Sequence, residues 1–179
     1  MAPPPSMPDG WYDGKDRDQF FTSKWNRGCY VRFTGSFQNA QGGTMLDLHG
    51  GGGHTPAVAG FSDGGPSNKN QIWKLVEVIT GAYAIVNVGN NHHIVAQGKT
   101  QPVLCDDRSI DDKKGWWRLS GQTGNNKNKF ETLRFKNQEF DEDGYLDLAA
   151  GHSGNGTPVY CYKGNSGNNQ KWKLISRSG

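Results

Sequence analysis

The hexapeptide NQKWKL at residues 169–174 recurs twice more along the chain with small changes. NQIWKL stands at residues 70–75, and GWWRL at residues 115–119 keeps the aromatic residue and the leucine but lacks the Asn-Gln pair. The last tryptophan of each copy gives an average period of roughly 50 residues, which is typical of proteins built from equivalent repeated units.

Other landmarks repeat upstream in the same order. LDLHG at residues 46–50 matches LDLAA at 146–150, and IVA at 94–96 takes that place in the middle copy. A further Pro-containing landmark follows in each copy, at residues 56–58, 101–103 and 157–159. Several landmarks recurring in one order indicate three homologous units.

Strand signals dominate between these landmarks, because short aromatic and β-branched runs are each followed by Gly, Asn, Gln or Asp. The pattern predicts an all-β barrel or sandwich. One unit of about 50 residues cannot bury its apolar face alone, so three units must share one core. We expect the repeated tryptophans, with the leucines two positions on, to point into that core from equivalent strands: Trp73, Trp117 and Trp172.

Composition excludes several classes of protein. The 20 Lys and Arg residues are interspersed with 17 Asp and Glu, which indicates a solvated mixed-charge surface and argues against a nucleic-acid partner. There is no apolar run long enough for a membrane span. The first ten residues lack the basic and apolar regions of a secretory signal, so we expect a cytoplasmic protein, with release by a non-classical route as an alternative. Three cysteines without CxxC spacing predict reduced thiols and no metal site.

The Leu-Asp-Leu, Gly-Thr-Pro-Val and Asn-Gln-x-Trp series resembles the ricin B-type lectin family, and the low cysteine content resembles its fungal members. The resemblance implies a β-trefoil: three four-stranded units form a six-stranded barrel capped by three hairpins. On this basis residues 1–27 are an N-terminal extension and residues 28–179 are the trefoil domain. Its units span about residues 28–79, 80–124 and 125–179. The family also implies binding of galactose-type glycans, with no enzymatic activity and no cofactor.

Unit three carries the three groups that a neutral sugar requires. Asp147 can accept hydrogen bonds from two adjacent hydroxyls, Asn169 can donate and accept, and Tyr162 can stack on the apolar face of the sugar. The spacings from Thr157 to Tyr162 and on to Asn169 match the family pattern. Tyr160 stands where family members often contact sugar. We expect the Asp147 carboxylate to lie at a solvent-facing pocket, so that its removal abolishes binding and barely changes stability.

Unit one repeats the set as Asp47, Phe61 and Asn70, with Gly60 before the aromatic residue. It departs from the pattern in two ways. HTP at residues 54–56 replaces the Gly-Thr-Pro of unit three, and the loop from Phe61 to Asn70 is two residues longer than the loop from Tyr162 to Asn169. Phe61 as a core residue is the alternative to Phe61 as a sugar contact. Unit two has Val95, Asp106 and Lys114 at these positions, so we expect it to bind no sugar: no carboxylate, aromatic plate or amide stands in register.

Gln71 and Gln170 of the repeated motif are interpreted as structural support, satisfying backbone groups of their own hairpins. No HExxH motif of the zinc proteases occurs. The sequence therefore predicts a lectin with sites in units one and three. A β-trefoil protease inhibitor acting through an exposed loop is the alternative, although an inhibitor has no need of two Asp/aromatic/Asn sets.

The N-terminal extension is too rich in aromatic residues for a free tail. We expect it to pack on the barrel, or on a second chain in a homodimer. The aromatic residues concerned are Trp11, Tyr12, Phe20, Phe21 and Trp25.

Overall fold

The structure, a computed structural model, describes residues 2–14 and 29–178. Thirteen strands lie within these residues, and their order follows the three predicted units. Unit one contains β1 (Tyr30–Asn39), β2 (Met45–Leu48), β3 (Val58–Phe61) and β4 (Trp73–Ile79). Unit two contains β5 (Ala82–Asn87), β6 (His93–Val95), β7 (Gln101–Pro102), β8 (Leu104–Asp106) and β9 (Trp117–Thr123). Unit three contains β10 (Phe130–Asn137), β11 (Tyr145–Leu148), β12 (Thr157–Tyr162) and β13 (Trp172–Ser176).

Short 3-10 helices connect several of these strands. Two of them follow the LDL landmarks, at His49–Gly52 and Ala149–Gly151. Three others lead into the last strand of each unit, at Lys69–Gln71, Lys113–Gly115 and Asn168–Gln170. The sixth, Asp141–Asp143, precedes β11. No helix within the described residues is long and apolar enough to cross a membrane.

The first and last strand of each unit form a closed barrel. Antiparallel pairing runs from β1 to β4, β5, β9, β10 and β13, and β13 pairs again with β1. Closure removes the exposed edges of the sheet. The inner strands of each unit pair as hairpins, β2 with β3, β6 with β8 and β11 with β12. This is the predicted six-stranded barrel with three hairpins.

The repeated tryptophans form the centre of the core. All three are fully buried, and each indole Nε1 donates to a carbonyl on the second strand of its own unit. The distances are 2.9 Å from Trp73 to Leu46, 3.0 Å from Trp117 to Ile94 and 3.1 Å from Trp172 to Leu146. Each tryptophan thus fills the core and ties a barrel strand to a hairpin. The prediction that these residues point inward is confirmed.

The described part of the N-terminal extension packs on the barrel. Ser6 pairs with the start of β10 through backbone bonds to Asn128 and Phe130. The rings of Trp11 and Tyr83 meet edge to face, with centroids 5.6 Å apart, and Trp11 also packs against the core. Three further aromatic residues of the predicted arm lie outside the described residues: Phe20, Phe21 and Trp25.

Candidate functional site

Hairpin register places the unit-three residues around one pocket. Asp147 on β11 lies opposite Tyr160 on β12, and Tyr162 ends that strand. The 3-10 helix Asn168–Gln170 then brings Asn169 to the same place, where its Nδ2 donates to the Leu148 carbonyl at 3.3 Å. These residues line an open pocket of about 320 Å³, together with Ala149, Ala150 and Asn165.

The Asp147 carboxylate lies at the floor of this pocket and is only 3% exposed. Asp147 thus lines an open pocket as expected, but the residue itself is almost fully buried, because the hairpin and the 3-10 helix close over it. Burial raises the pKa of Asp147 to about 6, although hydrogen bonds from Gln170 and Asn169 oppose the shift. At neutral pH the group is ionised, and it is a strong acceptor with little solvent around it.

Gln170 holds the carboxylate in place. Its Nε2 donates to Asp147 Oδ2 at 2.9 Å and to the Lys163 carbonyl at 2.8 Å, while its Oε1 accepts from the Asn165 backbone N–H at 3.0 Å. The predicted bonds to its own hairpin are present. The bond to the carboxylate is a further role that the sequence did not predict.

Arg134 on β10 fixes the orientation of the Gln170 side chain. Its guanidinium donates to Gln170 Oε1 at 3.0 Å and to the Asn165 carbonyl at 2.9 Å, and it lies 4.0 Å from the centre of the Tyr145 ring. Because the Gln170 oxygen faces Arg134, the amide nitrogen must face Asp147. In unit one the register places Ser36 at this position, and its hydroxyl donates to the Gln71 backbone carbonyl at 2.7 Å.

Unit one repeats the carboxylate and its support. Asp47 is 7% exposed, and its Oδ2 accepts from Gln71 Nε2 at 2.9 Å. Burial raises the pKa of Asp47, and the hydrogen bond from Gln71 and the nearby His49 oppose the shift. Asn70 lies on the 3-10 helix that precedes β4, as Asn169 does before β13.

The aromatic residue of unit one has a different environment from its counterpart. Phe61 is half-buried, and its ring centre lies 4.9 Å from that of His49, which in turn lies 4.8 Å from the ring of His54. The residue corresponding to His49 in unit three is Ala149, and Tyr162 there is 41% exposed. An imidazole thus covers part of the surface that remains open in unit three. Sequence reasoning did not single out His49, although it directly follows the LDL landmark.

Gly60, a predicted residue of the unit-one site, lies at the contact between two hairpins. It pairs with Thr157, and a Cβ at this position would lie 2.6 Å from Thr44 Oγ1 and 2.9 Å from Leu148 Cδ1. Its lack of a side chain therefore allows hairpins one and three to approach each other.

Unit two has a filled pocket at the equivalent place. Gly115 replaces the glutamine, and a Cβ there would lie 2.8 Å from the His93 ring, while Val95 replaces the aspartate and is fully buried. Burial lowers the pKa of His93 to about 4, so this ring is neutral. Asp106 is bound by Arg108 at 2.8 Å. Histidine and valine side chains thus occupy the space that the glutamine and the carboxylate take elsewhere.

Comparison with known proteins agrees with this architecture. The family model of the ricin-type beta-trefoil lectin domain-like family matches residues 17–103. The designed threefold-symmetric protein ThreeFoil superposes with a TM-score of 0.67 at 21% identity, covering 80% of this chain and 98% of that one. The Rhizoctonia solani agglutinin has a TM-score of 0.64 at 23% identity, covering 81% and 95%.

A ricin B-like lectin of Macrolepiota procera, solved in complex with lactose, has a TM-score of 0.64 at 21% identity, covering 81% of this chain and 95% of that one. No curated protein sequence matches significantly. The protein is therefore a β-trefoil. It resembles the ricin B-type lectin family in its fold and over residues 17–103, and the predicted resemblance is confirmed.

Proposed function

We propose that this protein is a carbohydrate-binding lectin, not an enzyme, and that it recognises galactose or N-acetylgalactosamine on glycans through units one and three. The observation that carries the proposal is the pocket of unit three. A buried carboxylate lies at its floor, an amide lies beside it, and an exposed tyrosine stands at its rim. The lactose bound by the Macrolepiota procera lectin supports the galactose class of sugar.

Each group has a chemical role toward a sugar. The Asp147 carboxylate accepts from two neighbouring hydroxyls, and the Asn169 amide oxygen offers a further acceptor, since its nitrogen already donates to the Leu148 carbonyl and to Asp147. Tyr162 presents an aromatic face to the C–H side of the ring. Gln170 and Asn169 already donate to the carboxylate, and its remaining acceptor capacity is offered to the sugar.

The affinity of one pocket for a monosaccharide is expected to be weak. About 12 heavy atoms at roughly 0.3 kcal/mol each contribute about 4 kcal/mol, which corresponds to a millimolar dissociation constant. Two pockets on one chain raise the avidity for branched or surface-bound glycans. Glycoconjugates that present several galactose-type termini are therefore the expected partners.

A glycan array probed with the full chain tests the proposal. We expect signals confined to glycans with terminal galactose or N-acetylgalactosamine, and loss of those signals in an Asp47→Asn/Asp147→Asn double variant. An Asp106→Asn variant is the matched control, because Asp106 occupies the aromatic position of unit two. Signals on other sugar classes that survive in the double variant would contradict the proposal.

A further inference from the structure

A buried asparagine ends the first strand of each unit. These residues are at most 1% exposed, and they occupy equivalent positions at the ends of β1, β5 and β10: Asn39, Asn87 and Asn137. Each pairs with the repeated tryptophan on the neighbouring strand, which belongs to the preceding unit. The pairs are Asn39 with Trp172, Asn87 with Trp73 and Asn137 with Trp117. Each therefore lies at a junction between two units.

The side-chain oxygen of each asparagine holds the turn that follows its strand. Asn39 Oδ1 accepts from the backbone N–H groups of Gln41 and Gly42 at 3.1 and 3.0 Å. Asn87 Oδ1 accepts from Gly89 at 2.8 Å, and Asn137 Oδ1 accepts from Glu139 at 3.0 Å. This role is common to the three units and stabilises the fold.

The side-chain nitrogen reaches across the junction to the preceding unit. Asn39 Nδ2 donates to the carbonyl of Asn169 at 2.9 Å, and Asn87 Nδ2 donates to the carbonyl of Asn70 at 3.2 Å. Asn137 makes the same bond to Lys114 at 2.9 Å. The acceptor is in each case the residue at the amide position of the pocket.

We propose that Asn39 and Asn87 are positioning residues for sugar binding: Asn39 for the pocket of unit three and Asn87 for the pocket of unit one. This inference rests on the proposed function. Each pocket is then completed by a strand of the next unit, and the pocket of unit three depends on a residue 130 positions away in the chain.

The physical reason is the peptide plane that follows Asn169. A hydrogen bond to the Asn169 carbonyl restrains the plane between Asn169 and Gln170. The side chains on either side of that plane are the sugar-binding amide and the group that holds Asp147 at 2.9 Å. A rotation of the plane would therefore displace both together. The neighbouring backbone bond, from Ala40 N–H to the Lys171 carbonyl at 2.9 Å, keeps the strands paired without Asn39.

Unit two provides a matched control within the same chain. Asn137 is equally buried and makes the same two kinds of bond, but its acceptor, Lys114, lies in the pocket that His93 fills. Loss of Asn137 should cost stability as loss of Asn39 does, and it should leave both sugar pockets unchanged. Stability and positioning are thus separable by experiment.

The test uses single-site backgrounds and titration calorimetry with lactose. Asp47→Asn leaves unit three as the binding pocket, and Asn39→Asp is added to it. The aspartate retains the oxygen that accepts from Gln41 and Gly42. It lacks the side-chain N–H that donates to the Asn169 carbonyl. We expect about a tenfold loss of affinity, the size of one hydrogen bond, against less than a twofold change for Asn137→Asp. Asn39→Ser, which cannot span to Asn169, replaces Asn39→Asp if the carboxylate prevents folding.

The reciprocal test uses Asp147→Asn as the background, which leaves unit one as the binding site, and adds Asn87→Asp. We expect the same loss of lactose affinity there. Equal lactose affinities for the Asn39 and Asn137 variants, at equal melting temperatures, would overturn the inference and leave the proposed function intact. Absence of glycan binding by the unmutated chain would instead overturn the proposed function, and this inference with it.

Discussion

Units three and two share a scaffold and differ in their pockets. In both, a tryptophan indole donates to the second strand, and an asparagine side chain from the next unit binds the segment before the last strand. Unit three adds the carboxylate, the amide and the aromatic residue. Unit two fills the same space with His93 and Val95. The comparison shows that the residues that build the trefoil are separate from those that form a pocket on it.

Units three and one differ more subtly. Both hold a buried carboxylate with a glutamine. Unit three adds the Arg134 contact to Gln170 and an exposed Tyr162, whereas unit one places His49 against Phe61. We therefore expect unit three to bind sugar more tightly.

The largest effects should appear when the shared scaffold is broken. Trp172→Ala and Trp117→Ala should each lower the free energy of unfolding by about 3 to 5 kcal/mol, because a fully buried ring and an indole hydrogen bond are lost. Chemical denaturation measures both. The two losses should be similar although only Trp172 lies in a unit with a proposed sugar site. A much smaller loss for Trp117→Ala would show that the scaffold is not equivalent in the two units.

The next effect should distinguish the pockets. Asp147→Asn should abolish detectable lactose binding at unit three, because an amide cannot replace the charged acceptor. Since burial raises the pKa of Asp147 to about 6, its ionised form costs stability at pH 7. Removing the charge should therefore raise, not lower, the free energy of unfolding at pH 7.

Asp106→Asn serves as the control for that variant and should leave lactose binding unchanged. Unaltered binding at unit three after Asp147→Asn would contradict the role given to the carboxylate. Calorimetry and thermal unfolding on the same samples separate the two readouts.

The pH dependence should follow the same carboxylate. Because the pKa of Asp147 is raised in the folded state, the folded state holds this proton more tightly than the unfolded state. The stability contributed by protonation is present at low pH and is lost as pH rises through about 6. Sugar binding needs the ionised form, so it changes in the opposite direction.

In the Asp47→Asn background, lactose affinity should fall about tenfold between pH 7 and pH 5. Calorimetry across this range provides the measurement. An affinity that stays level down to pH 5 would show that protonation of Asp147 does not oppose binding.

The smallest expected effect concerns His49. Ala149→His should lower the affinity of unit three by about threefold, because an imidazole would cover part of the Tyr162 face. His49→Ala should raise the affinity of unit one by a similar factor. Changes in the reverse direction would show that His49 contributes to sugar binding instead of limiting it.

The fold could be predicted because its signals are local and repeat in register. The motif around Trp172 gave the strand, the core residue and the adjacent Asn169 in one stretch, and the same period aligned Val95 with Asp147. The core positions followed from that period, because equivalent residues of a repeat occupy equivalent places. Hairpin register then brought the pocket residues of unit three together as expected.

The depth and the support of the pocket could not be predicted in this way. Asp147 is buried because a hairpin and a 3-10 helix close over it, and Arg134 reaches Gln170 from a strand 36 residues earlier. Asn39 contacts Asn169 because β1 pairs with β13 where the barrel closes. These contacts depend on the packing of units against each other, which no single stretch of sequence encodes.

A crystal structure of the full chain soaked with lactose would show directly which units bind sugar. We expect galactose density at two places in each chain, at Asp147 and at Asp47, with the higher occupancy at Asp147. We expect none beside Val95, where sugar hydroxyls would lack partners at about 1 to 3 kcal/mol each. Density beside Val95 and Asp106, or an empty pocket at Asp147 with Asp47 occupied, would contradict this expectation.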